Sequence, residues 1–196
     1  AGLPASFFRT AVIVPCGLGT YVQSSSGYNE DNNSTCDLDI KVNMTIASAT
    51  GVRPTIQAAG GLLDRVMQTM TNTQVTLNNV MIYNGTSNVG GGVYALGDLT
   101  LNNVYVVSNT ASWGGGVFVD SHALTMTGGV VWVNTATIVG GGLASQDGPV
   151  LISNSLIMSN AVTGLNPGQG FGGGVAALNN ATNTIASRLT VINSTI

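Results

Sequence analysis

Short alternations of apolar and polar residues organise this chain, and long amphipathic stretches are missing. In Leu99-Thr100-Leu101-Asn102 the apolar side chains fall on every second position, the period of a β-strand with one face buried. Val75-Thr76-Leu77-Asn78 repeats the pattern. Leu124-Thr125-Met126-Thr127, Val150-Leu151-Ile152-Ser153 and Leu189-Thr190-Val191-Ile192 follow it more loosely. No window of helical length carries a 3.6-residue period. With the central apolar residue as marker, Leu77, Leu101, Met126, Ile152 and Val191 stand 24, 25, 26 and 39 residues apart.

Two further landmarks keep the same phase. An aliphatic residue followed three positions later by asparagine occurs as Met81…Asn84, Val106…Asn109, Val131…Asn134 and Ile157…Asn160, with asparagines 25, 25 and 26 apart. A glycine triplet begins at Gly90, Gly114, Gly140 and Gly172, each followed by Val93, Val117, Leu143 or Val175. Three landmarks in fixed order at a period near 25 predict stacked supersecondary units. The fold expected is all-β: a right-handed parallel β-helix, or β-solenoid, with coils of about 25 residues and two or three short strands per coil. Asn84, Asn109, Asn134 and Asn160 are read as an amide ladder at a turn that tolerates left-handed backbone. The glycines are read as corners that need positive φ and the absence of a Cβ.

The GGGV/GGGL and aliphatic-x-x-Asn pairing resembles the polymorphic outer membrane protein repeat, whose signatures are GGA-[IVL] and FxxN. Here a third glycine replaces the alanine, and Met81, Val106, Val131 and Ile157 replace the phenylalanine. Ala11-Val12-Ile13-Val14-Pro15 followed by Gly19-Thr20-Tyr21 resembles the opening of pectate-lyase-like β-helix proteins. Asp37-Leu38-Asp39-Ile40 through Thr45-Ile46, then Pro54-Thr55-Ile56-Gln57, resembles their next coil. The resemblance implies the fold and leaves the activity open, because that superfold hosts many.

Composition narrows the surface chemistry. Charged residues make up 7% of the 196, against about 25% in ordinary soluble domains, so Asn, Thr, Ser and Gly must cover the outside. No cluster of Lys or Arg offers a nucleic-acid footprint, and no apolar run reaches the ~20 residues of a membrane span. Residues 1–36 are expected to hold an N-terminal cap, the first coil and a polar loop clipped by a Cys16–Cys36 disulfide; two unrelated thiols are the alternative. Residues 37–196 are expected to be coils. The end, Ile192-Asn193-Ser194-Thr195-Ile196, matches Ser153-Asn154-Ser155-Leu156-Ile157, so the chain is expected to stop mid-repeat, as an excerpt or as a subunit that stacks in an assembly. Sequons at Asn32, Asn33, Asn43, Asn84, Asn180 and Asn193 join the cysteines in pointing to a secreted, cell-surface glycoprotein.

Candidate chemistry is sparse. Asp98, Asp120 and Asp147 fall six to eight residues after successive triplets begin and would line one edge, as a metal or acid/base set. Each also sits in a turn-like pair, and no Arg or Lys lies between Arg65 and Arg188. His122 lacks a nucleophile motif or further metal ligands, and the triplets lack the Lys-Ser/Thr of a phosphate loop. No catalytic residue, metal or cofactor is therefore assigned. Thr76, Asn78, Thr100, Asn102, Thr125 and Thr127 would stack outward as a candidate binding face. The expected function is a non-enzymatic structural or adhesive β-solenoid of a surface rod, filament or appendage. Its expected partners are further copies, other subunits of the assembly, or glycans. The alternatives are a secreted polysaccharide lyase or glycoside hydrolase, and a glycan- or ice-binding module.

Overall fold

The computed structural model describes residues 9–13, 20–22, 37–48, 52–58, 64–164, 170–179 and 187–196. No helix occurs among them, so none is long and apolar enough to cross a membrane. The strands form a parallel β-solenoid of four sheets. Sheet A stacks Arg9–Ile13, Met44–Ser48, Gln74–Asn78, Asp98–Asn102, Leu124–Thr127, Val150–Ser153 and Leu189–Ile192. Sheet B stacks Thr20–Val22, Thr55–Gln57, Met81–Tyr83, Tyr105–Val107, Val130–Trp132 and Leu156–Met158. Sheet C stacks Leu38–Ile40, Met67–Thr69, Val93–Ala95, Val117–Asp120, Leu143–Gln146 and Val175–Leu178. Sheet D is shorter: Thr110–Trp113, Thr135–Val139 and Ala161–Val162. Each full coil visits A, B, D and C in turn.

The strand markers read from the sequence are register partners: Leu77 with Leu101, Leu101 with Met126, Met126 with Ile152, and Ile152 with Val191. All but Val191 are buried and join Val93, Val117, Leu143 and Ile157 in one core running along the axis. Alternation produces this directly. In Asp98–Asn102 the two leucines point inward and Asp98, Thr100 and Asn102 outward. The first two sheet A strands show that the solenoid already includes residues 9–13. Cys16, Cys36 and the expected loop lie outside the described residues.

The glycine triplet is a corner, but its three positions answer different demands. Gly114 has φ +61, which costs a residue with a Cβ. At Gly115 and Gly116 the constraint is close approach. A Cβ on Gly115 would stand 2.4 Å from the Gly141 carbonyl oxygen, and one on Gly116 2.5 Å from that of Gly142. The third position also packs on a ladder amide, since the Gly116 Cβ would lie 3.1 Å from Cγ of Asn134. An alanine there, as in the GGA repeat, would collide with backbone.

A second, smaller cluster lies outside sheet C. Tyr94, Phe118, Ala144 and Ala176 form an outward column in register. Val89, Trp113 and Val139 pack over it. Trp113 meets Phe118 edge-on at 6.4 Å between centroids. The outside of sheet C is thus largely covered, while sheets A, B and D each carry exposed residues.

Candidate functional site: two outward faces and a buried polar end

The asparagine ladder forms with one member fewer than expected. Asn109 and Asn134 are fully buried. Oδ1 of Asn134 accepts both the backbone N–H and the side-chain Nδ2–H of Asn109, each at 2.9 Å. Oδ1 of Asn160 accepts the same pair from Asn134, also at 2.9 Å. The spare amide proton of Asn134 goes to the Val106 carbonyl at 2.8 Å. Each buried amide is thereby satisfied by the coil on either side.

Asn84 is not in this column. Register pairs Ile82, not Met81, with Val106, which puts Gly85 opposite Asn109. The Gly85 N–H donates to Asn109 Oδ1 at 2.8 Å. Asn84 is exposed, with φ +62. It heads a different column, Asn84, Ser108, Val133 and Ser159, whose members all have positive φ. The left-handed corner and the amide ladder are therefore adjacent positions, and the expectation that one asparagine fills both roles is corrected. Among the other sequons, Asn193 is exposed, and Asn43 is half-buried with Oδ1 accepting the Gln74 N–H at 2.8 Å. Asn32, Asn33 and Asn180 lie outside the described residues.

On sheet A the expected face assembles. Thr76, Thr100 and Thr125 are in register, as are Asn78, Asn102 and Thr127. The threonine column extends beyond these three coils. Thr45 precedes it, and Thr190 follows after the interruption at Leu151. Asn102 donates to Asn78 Oδ1 at 2.9 Å, and the Thr127 and Ser153 hydroxyls are 3.0 Å apart. A shallow groove of about 320 Å³ runs across the start of these strands, lined by Gln74, Asp98 and the three hydroxyls of Thr76, Thr100 and Thr125. Thr45 was legible at its own alternation, Met44-Thr45-Ile46, but the 31-residue step to Thr76 hid its phase.

The three aspartates do not line one edge. Asp98 opens a sheet A strand, and its Oδ1 accepts the Ala123 N–H at 3.1 Å. Asp120 ends a sheet C strand and accepts from the Ser121 hydroxyl at 2.9 Å. Asp147 is buried at the next corner, φ +55, aligned with Ser121. They occupy three different coil positions, because they stand eight, six and seven residues after their triplets begin, and one residue is enough to change the position in the coil. His122 is half-buried, with Nδ1 2.8 Å from the Asp120 carbonyl oxygen.

A buried charged cluster escaped the sequence reading. Asp37, Asp39, Asp64 and Arg65 are all buried beside sheet C, where Asp39 and Gln68 begin the outward column that continues as Tyr94 and Phe118. Arg65 lies 3.4 Å from Asp37 Oδ2, donates to Gln68 Oε1 and to Ser87 Oγ, and sits 5.4 Å above the Tyr94 ring. Among the described residues no donor reaches Asp37 Oδ1. Burial, then the neighbouring carboxylates of Asp39 and Asp64, push the Asp37 carboxyl up to about 7 against the pull of Arg65. The Asp37-Leu38-Asp39 and Asp64-Arg65 pairs were the available signal, 25 residues apart at their near ends.

Five aromatic residues scattered along the sequence, Tyr83, Tyr94, Tyr105, Trp113 and Trp132, fall into two groups. Tyr94 and Trp113 belong to the covered cluster outside sheet C. Tyr83, Tyr105 and Trp132 stand on the outward face of sheet B. Comparison with family models, curated proteins and solved structures finds no match for this chain.

Proposed function

We propose that the chain is a non-enzymatic structural and adhesive β-solenoid of an extracellular surface. The observation that carries this reading is the outward face of sheet A. Its uncharged threonine and asparagine columns are held in register and hydrogen-bonded from coil to coil. Such a face is rigid, polar and repetitive, which suits contact with an extended partner more than acid/base chemistry, for which carboxylates must converge. The exposed sequons at Asn84 and Asn193 support an extracellular setting. Incubation with pectin, alginate and xylan tests the reading: retention without release of reducing ends or unsaturated products is expected. Product formation that Asp120→Ala abolishes would overturn it.

A second reading is a glycan contact in the sheet A groove. It is favoured by the hydroxyls of Thr76, Thr100 and Thr125 beside Gln74 and Asp98. Thr100→Lys, which fills that groove with a charged chain, should then remove retention while leaving the melting temperature in place.

A further inference from the structure

Sheet B turns a different chemistry outward. In its three-residue strands the middle residue enters the core, as Ile82, Val106, Val131 and Ile157 do. The flanking residues face out. Over four consecutive coils they form two register columns: Met81, Tyr105, Val130 and Leu156, and Tyr83, Val107, Trp132 and Met158. All eight are apolar or aromatic, where a solvated sheet face would be polar. Trp132 is 47% exposed, Met158 45% and Leu156 36%.

Backbone strain marks the same place independently. Val133, next to Trp132, has φ +54 and is 43% exposed. A β-branched residue in the left-handed region is an outlier, and the aligned residues are Asn84, Ser108 and Ser159, which suit both the conformation and the solvent. Valine here opposes both preferences. Strain and apolar exposure at one spot are what a contact surface shows.

Size and charge choose the occupant. Four strands about 4.8 Å apart and three residues long make a strip of roughly 200 Å². That is about a quarter of the ~800 Å² per partner that a stable protein contact needs, so the strip alone does not supply a contact with a second copy or a globular partner. A peptide adding as a strand needs a free sheet edge, which the middle of this face does not offer. None of the eight positions is charged. Arg53 reaches the strip, but its guanidinium lies 3.5 Å over the Tyr105 ring and donates to Asn103 Oδ1 at 2.9 Å. What remains is a single, uncharged, extended chain with flat apolar faces. Equatorially linked pyranose rings are such a chain, because their axial C–H bonds give each ring two apolar faces and the hydroxyls lie at its rim. Tyr83 and Trp132 stand two coils apart, about 10 Å, the scale of a disaccharide, with Val107 low between them at 9% exposure.

We propose that the outward face of sheet B, centred on Tyr83, Val107, Trp132 and Met158, binds an uncharged linear polysaccharide of equatorially linked pyranose units. This deepens the adhesive reading, rests on it, and places the ligand on sheet B.

Calorimetry with cellohexaose and xylohexaose, and with hexagalacturonate as the charged comparator, tests it. An uncharged hexasaccharide should bind in preference to the charged one. Trp132→Ala should weaken it at least tenfold and Tyr83→Ala several-fold, Trp132→Phe should restore most of it, and Phe171→Ala, which removes an exposed aromatic elsewhere, should leave it within twofold. Thermal melts of all variants should coincide. Preference for the charged oligomer, absence of binding to both uncharged ones, or loss with Thr100→Lys but not Trp132→Ala would overturn the proposal. So would self-association that Trp132→Ala abolishes. None of those results touches the adhesive reading, which is tested separately by retention on pectin, alginate and xylan without cleavage.

Discussion

The middle coils and the first fully described coil meet one problem, polar groups inside a stacked fold, in opposite ways. Between Asn109 and Asn160 the buried groups are neutral amides, and each carbonyl oxygen takes two protons from the coil before it. Around Arg65 the buried groups are three carboxylates and one guanidinium. A neutral ladder repeats without accumulating charge and has no pH dependence. A buried charged cluster depends on which protons are present, and desolvation makes it costly. Along the Asn109–Asn160 ladder the buried polar groups are neutral; around Arg65 charge enters.

The comparison breaks most directly at the triplet. Gly116→Ala would bring a Cβ within 2.5 Å of the Gly142 carbonyl oxygen and against Asn134. Two backbones meet there and neither can yield cheaply. A loss of about 4 kcal/mol or more is expected in denaturant titration. Asn134→Ala comes next. It strips Asn109 of the acceptor for two protons and should cost about 3 kcal/mol, since buried donors left unmade carry their full desolvation penalty.

The charged end should respond to pH instead. The folded Asp37 carboxyl holds its proton to about pH 7, and the unfolded one releases it near the ordinary 3.8. Between those values the folded state binds the extra proton, so stability falls as pH rises and levels off above about 7. A change of about 2 kcal/mol is expected, below the ~4 kcal/mol ceiling that the displacement sets. Asp37→Asn should flatten the profile, as read from melts between pH 4 and 8. A profile that Asp37→Asn leaves unchanged would detach the effect from this residue. The smallest effect is at Asn84. Asn84→Ala should cost about 1 kcal/mol through its left-handed backbone alone, and Asn84→Gly almost nothing. A loss as large as that of Asn134→Ala would return Asn84 to the ladder.

That last contrast shows what was legible and what was not. Strand phase was legible because alternation and coil period are both local patterns, and Leu77, Leu101, Met126 and Ile152 are partners as read. The Asn84 error had a signal: its interval to Asn109 is 25, while Leu77 to Leu101 is 24. A one-residue slip moves a side chain to a different position in the turn. The sheet A face was legible for the same reason as the strands. The sheet B face was not, because its strands are only three residues long, too short for alternation to separate outward from inward. The charged cluster was missed because Asp37 and Arg65 meet across coils in a stretch where the repeat has lost its landmarks.

On these grounds the ladder-locked coils form a rigid neutral scaffold, and proton-dependent stability is confined to the charged cluster around Arg65. Amide hydrogen exchange at pH 5 and pH 8, corrected for intrinsic rates, tests it most directly. The backbone amides of Val106, Val131 and Ile157 should exchange slowest, with protection unchanged between the two pH values, while protection at Leu38 and Met67 falls at pH 8. Uniform protection along the axis, or a pH-dependent loss centred on Asn109–Asn160, would contradict the account.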